Sequence, residues 1–360
     1  MLSTDVSILE VGSTVYNRMR EYAGLVDELH VVVLCGKKSG VELHDGNLHI
    51  YPTNSEKKIG RLISAYNKAA EIIETRDFHE ADSLITCQDP FEVGYIGVRL
   101  KKRFGIKVQL QVHTDFANKF FITESIKNRF RVQLAWLNIG RADGVRVVSN
   151  RILKSILEKS PRKIDAKKIT VLPIFVDVEH IKNTEPVDLK KIFPGFGFYV
   201  VMVSRLTHEK QVVWAAEIIK KIRETHPEVA LVVVGDGPLR SQFETYNFVK
   251  IIGWAKDPSG YLKGADLFLN ASLYEGYGRT LVEAAAAEVP IVTTDVGVAR
   301  EVVDTNGVII PVADEATLRT AIISVVEENN RFSTSAVHTE TKEEFLSNMI
   351  VGWKACLTKK

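Results

Sequence analysis

The 360-residue sequence holds three cysteines, Cys35, Cys87 and Cys356. They are odd in number and far apart, which excludes a disulfide scaffold and fits a reducing cytosol. No Cys-x-x-Cys pair and no His-Glu-x-x-His run occurs, so a dedicated zinc site is not expected. No run of about 18 apolar residues exists to span a bilayer. The opening Met1-Leu2-Ser3-Thr4-Asp5 lacks the basic-then-apolar order of a secretory signal. The expectation is a cytoplasmic protein, at most peripheral on the inner face of the membrane. Charge of one sign is also scarce: the formal net charge is +2, which argues against a nucleic-acid binder. No Gly-x-Gly-x-x-Gly follows a predicted strand, so a nicotinamide-dependent dehydrogenase is not expected either.

What is present is a repeated rhythm of short β-branched runs, turns and helical patterns. In the C-terminal half, Tyr199–Ser204, Leu231–Val234, Val249–Ile252, Leu267–Leu269, Ile291–Thr293 and Val308–Ile310 read as strands. Glu209–Thr225 and Glu315–Glu327 read as helices. The first half repeats the rhythm with strands at His30–Leu34, His49–Tyr51, Leu84–Thr86, Val108–Val112, Val145–Val148 and Thr170–Leu172. A helix over Ser125–Ile139 places Ile126, Phe130, Leu134 and Leu137 on one face, read as a core stripe. Alternating strands and helices predict an α/β fold of two Rossmann-like, doubly wound parallel-sheet lobes. Residues 173–198, with Pro173, Pro186, Pro194 and a Pro-Gly-Phe-Gly-Phe run, read as the connection between them. The lobes are expected over 1–180 and 181–340, facing each other across a cleft. Ligands of such sheets bind outside the carboxyl ends of the strands.

Four segments of the second half follow predicted strands. Ser204-Arg205-Leu206-Thr207-His208-Glu209-Lys210 offers two cations at a helix start, as a diphosphate requires; the alternative is a solvated turn. Gly235-Asp236-Gly237-Pro238-Leu239 permits close backbone approach. Glu275-Gly276-Tyr277-Gly278-Arg279-Thr280-Leu281-Val282-Glu283 sets a loop carboxylate and a helical one eight residues apart. The alternative for Glu283 is a capping box with Thr280 as N-cap. Thr293-Thr294-Asp295-Val296-Gly297-Val298-Ala299-Arg300-Glu301 offers hydroxyls and backbone N–H groups to the same cleft. In the first half, His113 ends the strand Val108–Val112.

In order and spacing these segments resemble retaining glycosyltransferases of the GT-B fold, specifically glycosyltransferase family 4, over nearly the whole chain and most strongly over 198–304. Ser204-Arg205-Leu206…Lys210 looks like that family's phosphate clamp, Gly235-Asp236-Gly237-Pro238-Leu239 its second strand-turn, and Glu275…Glu283 its Glu-x7-Glu signature. Leu172–Val178 is similar to the family's entry into the inter-lobe connection. The resemblance implies that Arg205 and Lys210 hold the nucleotide diphosphate, with Gly235, Gly237, Gly276, Tyr277, Gly278, Arg279 and Thr280 around the donor. Glu275 would contact the donor sugar and Glu283 the ribose hydroxyls. His113 would approach the sugar from the first lobe, and the Gly12-Ser13 turn would close over the phosphates. A last helix, Glu343–Leu357 within 341–360, would return to the first lobe. Gly-Ser stands where relatives often have Gly-Gly, and Arg279-Thr280 where Leu-Pro is common, which weakens the N-cap reading of Thr280.

Expelling a diphosphate develops negative charge that needs a counter-charge. The sequence has no Asp-x-Asp to hold a divalent metal for it. The resemblance implies retaining transfer from a UDP- or GDP-sugar to a hydroxyl acceptor, and the missing Asp-x-Asp adds the expectation of no obligatory cofactor and no metal. Both front-face attack and a covalent intermediate stay open. The alternatives are another GT-B enzyme, such as a nucleotide-sugar epimerase or phosphorylase, and a two-lobed solute-binding protein. The latter gives no reason for the Arg…Lys and Glu-x7-Glu pairs. The charge is also uneven. Residues 1–98 carry net −6, residues 99–168 net +13 and residues 169–360 net −5. The basic segment includes Lys101-Lys102-Arg103, Lys119 near Phe116, Phe120 and Phe121, and Lys127, Arg129 and Arg131. It reads either as a solvated face or as a docking surface for an anionic membrane or a lipid-linked acceptor. A glycan or small-molecule acceptor is the other expectation, and no nucleic-acid partner is expected.

Overall fold

The computed structural model describes residues 1–37, 39–56, 58–303, 307–328 and 340–358. The chain forms two compact units, Met1–Pro173 with Lys342–Lys360, and Ile174–Thr341. The division falls after Pro173 rather than at 180. The reason is the short helix Val178–Asn183, whose Val178 and Ile181 are buried in the core of the second unit.

In the first unit eight strands form one sheet: β1 Leu2–Ser3, β2 Leu29–Val33, β3 Leu43–Asp45, β4 Leu48–Pro52, β5 Leu84–Cys87, β6 Lys107–Val112, β7 Gly144–Val147 and β8 Ile169–Val171. Their order is β3-β4-β2-β1-β5-β6-β7-β8. The pairs are parallel except β3–β4, an antiparallel edge that the sequence reading did not foresee. The helix Lys342–Leu357 packs against β5–β7 through buried Phe345, Met349, Trp353 and Cys356. Contact is close enough that a Cβ on Gly144 would lie 2.1 Å from Cys356 Sγ.

The stripe Ile126–Phe130–Leu134–Leu137 is not core. Ile126 is 71% and Phe130 72% exposed, and Leu137 also faces solvent. The helix Ile126–Arg141 instead buries Asn128, Val132, Ala135, Asn138 and Ile139. Two asparagines tolerate that face because each has an acceptor in place. Asn138 Nδ2 donates to the carbonyls of Pro90 (2.9 Å) and Phe91 (3.0 Å), and Asn128 Nδ2 donates to that of Phe121 (3.1 Å).

The second unit is a six-stranded, all-parallel sheet: β9 Phe198–Val203, β10 Val229–Val234, β11 Val249–Gly253, β12 Leu267–Asn270, β13 Ile291–Thr294 and β14 Gly307–Ile310. Their order is β11-β10-β9-β12-β13-β14, the doubly wound order that reverses direction between β9 and β12. Alternate residues feed the two faces. Tyr199, Val201 and Phe268 join one core with the helix Arg279–Ala286. Val200, Met202 and Leu269 join the other with the helices Val212–Ile222 and Glu315–Glu328. The helix expected over Glu209–Thr225 is broken. A short 3-10 turn, His208–Lys210, precedes Gln211 at φ +54°, and the α-helix starts at Val212.

Candidate functional site

The reversal between β9 and β12 leaves a crevice at their carboxyl ends, and the chemistry-bearing side chains of this unit gather there. From the β9 side come Ser204, Arg205, Glu209 and Lys210; from the β12 side come Asn270, Ser272 and Glu275. Lys210 and Glu275 form an ion pair, and both side chains are largely buried. Ser272 Oγ lies 2.9 Å from the same Glu275 oxygen and 2.7 Å from Asn270 Oδ1. The backbone ties the two sides together, since the Leu273 N–H donates to the Glu209 carbonyl (2.8 Å). Arg205 is the outer cation: its side chain is 75% exposed and pairs with Glu209 at 3.2 Å. Glu209 is held in turn by the Thr207 hydroxyl (2.7 Å). Ser204, Lys210, Asn270, Ser272, Glu275 and Thr280 line one cavity of about 10 Å³.

Glycine is required beside this crevice by close approach. A Cβ on Gly237 would meet the Leu206 carbonyl oxygen at 2.6 Å and its nitrogen at 2.8 Å. The Gly235-Asp236-Gly237 turn thus packs directly on the Arg205–Leu206 backbone, and Leu206 N–H donates to the Asp236 carbonyl (3.0 Å). Gly297 does the same on the far side, where its Cβ would fall 2.1 Å from the Tyr277 carbonyl oxygen. The 293–297 segment is therefore a backing for the glutamate loop rather than a lining. Thr293 and Thr294 are fully buried, and the Thr294 hydroxyl donates to the Ser272 carbonyl (2.7 Å).

Glu283 does not belong to a capping box. The helix Arg279–Ala286 has Gly278 as its N-cap, with no side-chain cap bond. Glu283 is buried and pairs with Arg279 at 2.7 Å. Burial raises its pKa, and Arg279 opposes that rise. Gly276 and Gly278 are buried, and Tyr277 is half-buried. Burial pushes the Tyr277 phenol up to about 12, so it stays a neutral hydrogen-bonding group.

The remaining candidates belong to the first unit. His113 follows β6, with Nε2 3.1 Å from Gln111 Oε1. Desolvation, then Arg146 and Arg18, lower its pKa. The direction of the shift favours the neutral imidazole. Ser13 is a helix cap: its Oγ accepts from Tyr16 N–H (3.0 Å) and donates to the Ser7 carbonyl (2.7 Å). Gly12, at φ +83°, makes the turn before it. Two residues escaped the sequence reading. Asn270 and Ser272 carry one signal, polar residues directly where an apolar strand ends, which is where the switch-point rule puts ligands.

Two family models match in succession. The Glycosyltransferase Family 4 model covers residues 11–180, and the model for glycosyl transferases group 1 covers 197–328. A UDP-Gal:α-D-GlcNAc-diphosphoundecaprenol α-1,3-galactosyltransferase of Escherichia coli is 31% identical over 148 residues, 37% of this chain and 38% of that protein. An α-monoglucosyldiacylglycerol synthase of Acholeplasma laidlawii is 24% identical over 222 residues, 56% of each. The chain thus spans about two fifths to just over half of the length of these relatives. Among solved structures, the Anabaena HepE protein in complex with UDP-glucose aligns over 98% of both chains, with a TM-score of 0.72 and 18% identity, and shares the fold.

Proposed function

The chain belongs to the group 1 glycosyltransferases of the GT-B fold, and from that premise we propose that it moves a hexosyl unit from a nucleotide-diphosphate sugar to a hydroxyl acceptor, with retention and without an obligatory metal. The observation that carries this reading is the Lys210–Glu275 pair at the switch point of the second unit. A cation and a carboxylate 65 residues apart in sequence meet where a nucleotide-binding sheet of this order takes its ligand. In the proposed reaction the incoming diphosphate competes for Lys210, with Arg205 as the second, outer cation. The freed Glu275 turns to the donor sugar, and Glu283 accepts from the ribose hydroxyls. His113, neutral and at a strand end, is proposed as the first unit's contact to the sugar, and the Gly12-Ser13 turn as its contact to phosphate. The two cations supply the counter-charge for the leaving diphosphate.

UDP is the favoured base, supported by the UDP-glucose complex of HepE; GDP is the alternative. A lipid-linked acceptor is the favoured class, supported by the diphosphoundecaprenol and diacylglycerol names of the relatives. The exposed Ile126 and Phe130, beside exposed Lys127 and Arg129, suit an anionic membrane surface, where such an acceptor would be met. The reading therefore puts the protein peripherally on a membrane.

A thermal-shift panel with UDP, GDP and ADP tests the donor site. A nucleotide at 100 times its Kd stabilises by about 2.7 kcal/mol. A shift with one of them is expected, and none with any would sink the reading. Transfer should survive excess EDTA; complete loss that Mg²⁺ restores would remove the metal-free part.

A further inference from the structure

We propose that Asn270 and Ser204 together hold one ordered water beneath the Lys210–Glu275 pair, and that Asn270 is thereby the positioning residue of Glu275. The proposal rests on the donor-site reading above. Asn270 ends β12, and Ser204 directly follows the neighbouring β9, so the two flank the switch point. The orientation of the Asn270 amide is determined by its neighbours. The Ser272 backbone N–H (3.1 Å) and the Ser272 hydroxyl (2.7 Å) both meet one amide atom. A main-chain N–H can only donate, so that atom is the oxygen. The Nδ2 group therefore points away from Ser272.

Asn270 is 6% exposed, and its Nδ2 finds no hydrogen-bond partner among the described residues; neither does Ser204 Oγ. Both line the same cavity as Lys210, Ser272 and Glu275, and its roughly 10 Å³ matches one water-sized oxygen. Buried polar atoms of this kind are almost always satisfied, by ordered water where protein offers nothing. A water there accepts from Asn270 Nδ2, exchanges a hydrogen bond with Ser204, and has a proton left for the Glu275 carboxylate.

The arrangement has a use in turnover. When a diphosphate draws Lys210 away, Glu275 loses its ionic partner and would be free to swing. The water held by Asn270 and Ser204 keeps its carboxylate aimed, since the single Ser272 hydroxyl proton is shared between Asn270 Oδ1 and Glu275. Losing Asn270 should therefore lower turnover more than donor binding.

The test compares Asn270→Asp, Asn270→Ala and Ser204→Ala with the wild type in the full chain. Asn270→Asp keeps the oxygen that Ser272 uses but replaces the amide donor with a charged acceptor. It is expected to lower kcat 10- to 100-fold, leave the donor KM within about threefold, and move the acid limb of kcat/KM to higher pH by repelling ionised Glu275. Asn270→Ala should lower kcat without moving that limb. Ser204→Ala should lower kcat severalfold, and it keeps the proposal testable if an Asn270 variant fails to fold. A wild-type structure at high resolution should show an oxygen within about 3.2 Å of both Asn270 Nδ2 and Ser204 Oγ. Wild-type kcat and pH profile in the folded variants would overturn the proposal, and so would a dry cavity. If the wild type itself binds no nucleoside diphosphate, the donor-site reading fails instead.

Discussion

Lys210 and Arg205 carry the same formal charge in unequal surroundings. Lys210 is largely buried against Glu275, whereas Arg205 is mostly in water. A charge-assisted hydrogen bond contributes about 1.5–3 kcal/mol, and an exposed one is screened towards the bottom of that range or below it. Lys210→Ala should thus weaken nucleotide binding and turnover by about 10- to 100-fold, while Arg205→Ala should cost less and lose its effect at high salt. Titration calorimetry with UDP at two ionic strengths checks both. Glu283 yields a pH prediction. Its pKa is raised, so its neutral form gains ground at a higher pH than for an exposed glutamate. Only the carboxylate accepts from two ribose hydroxyls, so nucleotide affinity should fall on the acid side. Arg279→Leu removes the charge that opposes the rise, and should shift the fall to higher pH in a series of Kd measurements. None of this pairing was legible in the sequence. Spacing suggested that Glu275 and Glu283 share a ligand. Which cation each would meet depends on side-chain geometry at the crevice, and Asn270 and Ser272 carry little signal of their own, because one polar residue after a strand is ordinary.

At the level of elements the reading was better where burial is total. Runs such as Leu231–Val234 and Ile291–Thr293 lie within fully buried strands, because a parallel strand covered on both faces must be continuously apolar. The reading failed on the helix Ile126–Arg141, where two apolar stripes compete. The weaker-looking one is inside, since Asn128 and Asn138 find backbone acceptors there. That leaves Ile126, Phe130 and Leu137 towards solvent, next to cations. Phe130→Ser is expected to reduce binding to vesicles of phosphatidylglycerol at least severalfold while leaving nucleotide binding intact, as measured by co-sedimentation. Equal binding of the variant and wild type, or negligible and salt-insensitive binding of the wild type, would discard the membrane role of this face.

For the whole molecule, the decisive feature is the helix Lys342–Leu357, which completes the first unit from the far end of the chain. Removing it uncovers β5–β7 and discards buried Phe345, Met349 and Trp353. At about 2–5 kcal/mol for a large core side chain, that loss rivals the whole stability of an ordinary domain. Residues 1–173 alone should therefore show no cooperative unfolding transition, and fusing residues 342–358 through a flexible linker should restore one. Circular dichroism against urea decides it. The same feature sets a timetable for biosynthesis. The second unit is a continuous stretch and can close on itself as it leaves the ribosome. The first unit is made earlier but must wait for residues 342–357, about 10–40 s later at ordinary elongation rates. During that interval its unfinished sheet is the natural client of a chaperone, and a stalled ribosome would leave it exposed.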